Sequence, residues 1–456
     1  MVIREADKSD ISVLLNILRK PFAGVAKRFN LTGKSCPKNL VLFLISVLII
    51  IFRQYSLFTE PRFWAEEGTV YFSFAFSHNW LTVLLKPHYG YYSLFSNFAS
   101  LLASRTVPLE WAPLVTTLLA FFVQCIPLAI IIFGKSGLWS TCFRKIIAIS
   151  IILFAPLSGE SWLNTINSQF HFSLIIVLIL CEELDTDYIR KYFYRIVIVI
   201  AGLTGAASCF LAPLYLIRAY LTKKREAIIQ AGLITICALI HITITTTVLP
   251  TQPASLNRFY LPSAPTLGFI IWIKNFILPF FGLPLASAIG SIILAACYKQ
   301  YEWPHAAGYN CLVFQVLFLL LLCSKLDKNE IISVMGSYLL LVLLTTYAAY
   351  GNKTDYISPE HSQRYYYVPN VLMLMMVFLS IKWSKEGASK IFALFLIGLL
   401  TMGILNGAVI YRTSIESRES CSVWREEVAK WRTDHSYPLQ ICPSGWRIEL
   451  KEQPSP

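Results

Sequence analysis

The chain has 456 residues, 56% of them hydrophobic and only 14% charged, where a soluble domain carries about 25% charged residues. With a mean hydropathy of +0.58, that composition excludes an ordinary cytosolic enzyme, a disordered chain and a disulfide-built secreted module. The formal charge of +13 raises nucleic acid as a partner, but no basic stretch is interleaved with stacking aromatics, so the excess Lys and Arg reads as cytoplasmic loop charge.

Residues 1–38 are basic, with 8 Lys/Arg against 3 Asp/Glu. They hold a short amphipathic stretch, Ile11–Leu18, and are expected to form a cytoplasmic tail lying on anionic lipid. The first long apolar run starts at Leu40 and lacks a small-residue cleavage site, so no cleavable signal is read there. Membrane spans are expected near 40–57, 112–134, 146–158, 168–182, 228–248, 267–281, 284–298, 308–324, 331–349, 367–383 and 390–411. Residues 196–221 are basic at both flanks, with Gly202-Leu-Thr-Gly205 between. They predict two short helices that rise and return, the glycines at the bend. The fold class is therefore an all-α polytopic membrane protein, because the apolar runs are continuous and do not alternate as barrel strands do.

Charge sets the expected orientation. With the N-terminus in the cytoplasm, the segments assigned to that side hold 23 Lys/Arg, and the opposite loops 58–111, 249–266, 299–307 and 350–366 hold 7. The domain reading is a tail (1–38), a transmembrane domain (39–411) whose first outer loop is 58–111, and an extracytoplasmic tail (412–456). In that tail Trp424, Val428 and Trp431 repeat as one helical face, and Pro438–Leu450 reads as strand, turn, strand. Most cysteines, such as Cys125, Cys209 and Cys323, sit in apolar runs as small hydrophobes, and no CxxC occurs. Cys421 and Cys442 differ. On an oxidising side they are a candidate disulfide, the alternative being two unpaired thiols.

Candidate chemistry begins in the first outer loop, Thr59-Glu-Pro-Arg-Phe-Trp-Ala-Glu-Glu-Gly68. The adjacent carboxylates Glu66 and Glu67 stand where the chain leaves the membrane. A partly desolvated carboxylate there is suited to general-base work; the plainer reading is a solvated acidic pair or a helix start. Tyr91–Leu102 puts Tyr91, Leu94, Phe95, Phe98, Leu101 and Leu102 on one helical face and predicts an interfacial helix. Before it, Lys86-Pro-His-Tyr-Gly90 offers Lys86, His88 and Tyr89 at headgroup depth, for phosphate binding or for ordinary snorkelling of Lys86.

Phe63-Trp-Ala-Glu-Glu-Gly68, then Lys86-Pro-His-Tyr-Gly-Tyr-Tyr92, then Asn164-Thr-Ile-Asn-Ser-Gln-Phe-His171 resembles a group of bacterial polytopic proteins. Those read W-A-E-D-G, P-Y-x-G-Y and N-x-x-N-x-x-W/F, and belong with the GT-C superfamily of glycosyltransferases. Gly202-Leu-Thr-Gly-Ala-Ala-Ser-Cys-Phe-Leu-Ala-Pro213 resembles that group's L-T-G-P-F segment with its proline, and Gln363-Arg-Tyr-Tyr-Tyr-Val-Pro369 its R-Y-x-x-x-P element. The likeness is spread over most of the chain in short pieces, and their order carries it. It implies a GT-C-like bundle of about 11–13 crossings and an inverting transferase of the bacterial inner membrane. The implied partners are a polyprenyl-phosphate sugar donor, a cell-envelope glycan or lipid acceptor and membrane lipid; no cofactor is predicted from the residues, a divalent metal staying open. The second carboxylate is Glu67 where Asp is usual, which leaves open which of the pair faces the acceptor.

A donor whose leaving group is already a phosphate needs fixed positive charge, not an acid. Arg364 and the following Tyr365, at the outer end of a span, are the first candidates, with belt anchoring as the plainer role. Arg258 and Arg62 are further cations, Arg62 with Glu66 or Glu60 as alternative partners. Asn164, Asn167 and His171 are read as acceptor or sugar contacts or as helix–helix hydrogen bonds. With one histidine among them, no metal site is expected. Rival functions are a transporter or flippase of lipid-linked glycans, which calls for deep charges and a repeat, and a glycan polymerase, which calls for a large late outer loop.

Overall fold

The computed structural model describes residues 36–156, 158–184, 187–248, 250, 259–349, 351–382, 387–419 and 421–450. The chain divides into two compact units, 1–45 and 46–456. The first contributes, among the described residues, only the opening turns of one helix; apart from those turns, everything below belongs to the second. Of the described residues 76% are helical.

Among the described residues the main helices are α1 (Cys36–Arg53), α2 (Leu94–Thr106), α3 (Ala112–Phe133), α4 (Cys142–Phe154), α5 (Ser168–Leu180), α6 (Tyr188–Gly202), α7 (Ala212–Thr222) and α8 (Arg225–Val248). They continue with α9 (Ala264–Phe281), α10 (Leu283–Tyr298), α11 (Trp303–Cys323), α12 (Lys328–Ala348), α13 (Tyr367–Leu379), α14 (Gly387–Glu419) and α15 (Trp424–Thr433). Six of these, α3, α8, α9, α11, α12 and α14, contain stretches long and apolar enough to cross a membrane. This is the architecture of an all-α polytopic membrane protein.

Two helices form the centre. Every residue of α5 is buried except Gln169, and every residue of α13 except Phe378. A helix apolar all round has no solvent face and belongs inside a bundle. At 13 residues, α5 is about 20 Å long, well short of a bilayer core of about 30 Å. Close crossings elsewhere use glycine. A Cβ at Gly268 of α9 would collide with the Gly308 carbonyl of α11, and one at Gly308 with the backbone of Pro265. Small residues at such a contact let two backbones touch.

The segment 188–222 rises and returns. At its bend Gly205 has φ +79° and donates to the Tyr92 carbonyl at 2.9 Å, and Leu94 N donates to Leu203 O at 2.9 Å. A side chain at Gly205 would meet Gln169. At the far end Arg218 donates to the Ile179 and Glu182 carbonyls. Glu182 in turn accepts from Lys135 N, Ser136 N and the Tyr194 hydroxyl. One end therefore lies with the first loop and the other with the basic turns.

The protein-facing side of helix α2 carries Phe95 with the small and polar Ser96, Asn97, Ala99, Ser100 and Ala103, while Phe98 of the apolar face is 45% exposed. Short side chains let α2 approach closely: Ser96 donates to Thr165 O, and Asn97 to Leu84 O and Lys86 O. The tail forms α15 and an antiparallel pair, β1 (Leu439–Ile441) and β2 (Trp446–Ile448), with Leu439 opposite Ile448. It packs into one apolar cluster with Phe63, Phe72, Ala103 and Ala112 of the first loop and the start of α3.

Candidate functional site

The acidic turn is built by backbone geometry. Ala65 sits at φ +45°, a left-handed conformation that reverses the chain after Trp64 and starts the short helical run 67–77. Successive residues on a helix diverge by about 100°, so Glu66 and Glu67 face different surroundings. Glu67 is 1% exposed. Its Oε1 accepts from Thr165 N at 2.8 Å and Thr165 Oγ1 at 2.7 Å, and its Oε2 from Trp64 N at 3.3 Å. Burial raises its pKa above the ordinary carboxylate value, against the pull of its bonds from Thr165 and Trp64. Glu67 staples the first loop to segment 158–167 and does not line the hollow.

Glu66 does. It shares a hollow with Tyr71, Tyr89 and Tyr91 of the first loop, Asn167, Gln169 and Phe170 at the start of α5, and Arg364 and Tyr365 before α13. Ala206, Phe210, Phe259 and Thr345 close the rest of the wall. Glu66 Oε2 is buried and makes no hydrogen bond. Arg364, with its side chain 24% exposed, lies 3.6 Å from the Glu160 carboxylate and 5.5 Å from the Tyr365 ring centre, within the field of Glu66. Burial lowers its pKa, but Tyr365, Glu160 and Glu66 outweigh burial, so the guanidinium stays charged.

The remaining candidates fall elsewhere. Asn164 is 1% exposed and His171 is fully buried. Asn164 Nδ2 donates to Glu160 O at 2.8 Å and Trp162 O at 3.1 Å, Asn167 Nδ2 to Glu160 O at 2.6 Å, and His171 Nε2 pairs with Ser161 O at 3.0 Å. These side chains hold the backbone of the turn Gly159–Ser161; of the three, only Asn167 also reaches the hollow. His88 packs edge-on against Tyr71 at 4.8 Å and Phe74 at 5.4 Å. Burial, then the neighbouring Lys86 charge, push its pKa down to about 4, so it is neutral at physiological pH and offers a phosphate no charge. Lys86 is exposed, its ammonium 5.6 Å from the Phe74 ring. Arg62 is buried at 8% exposure and is not on the wall of the hollow. Arg258 lies outside the described residues. Cys421 and Cys442 are joined in a disulfide, Cα atoms 5.6 Å apart.

Sequence reasoning missed Glu160 and the tyrosines Tyr71 and Tyr91. The signal for Glu160 is an acid beside Gly159 between two apolar runs; nothing in the sequence says that it meets Arg364. Lys274, inside α9, is fully buried and donates to Pro359 O and His361 O, which fixes the loop leading to Arg364. Among the described residues no group of three or more His, Cys, Asp or Glu is arranged to hold a metal ion.

Chemically, the hollow joins an unsatisfied carboxylate oxygen, a charged guanidinium and an aromatic wall with a few amide groups. Such a mix suits a polar ligand with an anionic end. No family model, curated protein or solved structure matches the chain.

Proposed function

We propose that this protein is a glycosyltransferase of GT-C type in the bacterial inner membrane, working on the extracytoplasmic face with its N-terminus in the cytoplasm and C-terminus outside. It transfers a sugar from a polyprenyl-phosphate donor to a cell-envelope glycan or lipid. The observation that carries the reading is the facing of Glu66 and Arg364 across one hollow, with Glu66 Oε2 buried and without a hydrogen bond. The order of the sequence motifs supports it.

In this reading Arg364 grips the donor phosphate and the tyrosines flank the sugar. Glu66 takes the proton from the acceptor hydroxyl as that oxygen attacks the anomeric carbon. The bond from that carbon to the phosphate oxygen breaks, its electrons leave with the phosphate, and the configuration inverts. The leaving phosphate needs no proton, because the guanidinium meets its charge. Glu160 holds Arg364 in place until the phosphate competes for it. Glu67 keeps the turn in shape and touches no substrate.

The test is turnover of a polyprenyl-phosphate sugar by the purified full chain in nanodiscs, with envelope glycans and lipids as acceptors. Glu66→Gln is expected to lower kcat by about 10²–10⁴ with donor binding retained. Glu67→Gln should keep turnover within about tenfold. Full activity in Glu66→Gln discards the base assignment, and transport of the intact donor in place of transfer discards the enzyme.

A further inference from the structure

The C-terminal tail is not spread over the surface. It grips both ends of the first outer loop. At the beginning of that loop Ala65 N donates to Cys442 O at 2.5 Å and Cys442 N donates to Phe63 O at 3.3 Å, a short parallel bridge around Trp64. The left-handed Ala65 that turns Glu66 toward the hollow is thus hydrogen-bonded to the tail. Gly68 lies so close that a Cβ there would approach Ile448 Cδ1 to 2.7 Å and Ile441 Cδ1 to 2.9 Å. At the end of the loop Trp424 Nε1 donates to Leu109 O at 2.9 Å, Arg432 pairs with Glu110 at 2.9 Å, and Arg425 lies 4.1 Å over the Trp111 ring. The strand half of the tail holds the acidic turn and the helix half holds Leu109–Trp111. The Cys421–Cys442 disulfide joins the two halves.

We propose that segment 421–450 is the positioning element of the acidic turn, and that the Cys421–Cys442 disulfide makes the alignment of Glu66 depend on the redox state outside the membrane. The consequence for chemistry rests on Glu66 being the base; the grip itself does not. A dithiol supplies two electrons and two protons, breaks the S–S bond and leaves two thiols. The bonds from Gln440 N and the Tyr437 hydroxyl to Glu427 and the apolar packing of β1 on α15 remain, but Cys442 loses its covalent anchor to Cys421, and its carbonyl is held less firmly on Ala65. The tail touches no substrate in this scheme and acts through the turn alone.

Two readouts separate this from the proposed function. The first is hydrogen exchange on the full chain in nanodiscs, over peptides covering 62–70, before and after dithiothreitol and in the Cys421→Ser/Cys442→Ser variant. The Ala65 amide should exchange at least about tenfold faster in both cases, with α13 unchanged. The second is turnover. Reduction should lower kcat by about tenfold or more with KM for the donor held, and reoxidation should restore it, because a displaced base slows chemistry without loosening the phosphate grip. Unchanged Ala65 exchange after verified reduction overturns the grip. Faster exchange with unchanged kcat in an active enzyme overturns the positioning role. Should no transferase activity be found, the exchange arm still decides the grip, and the enzyme reading fails separately.

Discussion

A carboxylate withdrawn from water is stable only if its oxygens find donors. Glu67 has Thr165 N, Thr165 Oγ1 and Trp64 N; Glu66 Oε2 has none. The first has its donors within the fold, and the second keeps an oxygen without one. Burial sets the Glu67 pKa above its ordinary value despite those donors. A carboxyl raised on folding adds stability that is complete below its unfolded pKa and is lost as pH rises through its folded pKa. Glu67→Gln does not titrate and escapes that loss. Its Tm should therefore gain on the wild type as pH rises from about 5 to about 8, read by thermal unfolding in detergent. Parallel curves would place Glu67 in a wetter site than its contacts describe. Glu67→Leu strands the Thr165 and Trp64 amides and should cost about 1–3 kcal/mol at any pH.

At the scale of the element, the turn Gly159–Ser161 carries Glu160 and so sets where Arg364 rests. Side chains brace its carbonyls: Asn164 and Asn167 at Glu160, Gln124 and His171 at Ser161. Asn164→Ala removes donors to Glu160 O and Trp162 O and the acceptor for Asn167 N, a loss of about 2–3 kcal/mol at about 1 kcal/mol per bond. The expected result is a lower Tm and a higher donor KM with kcat nearly kept. A fall in kcat alone would return Asn164 to the substrate. This element also marks the limit of the sequence. Long apolar runs announce helices such as α3, α8 and α14, because burial in lipid or protein demands apolar residues whatever the partner. The bend at Gly205 is likewise legible, since few residues other than glycine accept φ +79° easily. Side-chain direction is not legible. Asn164 and His171 look like ligands by type and spacing, yet they answer backbone carbonyls created by a turn the sequence does not reveal. The orientation of the acidic pair hangs on the left-handed Ala65, which no composition rule predicts.

Over the whole molecule, contacts decide which parts share a side. The tail pairs with Phe63 and Ala65 and packs on Leu109–Trp111, so it lies on the same side as the first loop. Helix α3 starts there and runs 22 residues, about 33 Å, enough to cross a bilayer core of about 30 Å. Its far end meets the Glu182 carboxylate, which lies in the field of Arg190, and the Glu182 backbone carbonyl accepts from Arg218. Lys and Arg concentrate on cytoplasmic loops, so the proposed orientation puts the side bearing Glu66 outside. The exposed native Cys142 follows α3 on the basic side, and the exposed Thr82 lies in the first loop. In intact spheroplasts a membrane-impermeant maleimide should label Thr82→Cys at once and reach Cys142 only after permeabilisation. The reverse pattern would put Glu66 and Arg364 against the cytosol, and an outward-facing lipid-phosphate donor would then have no route to them.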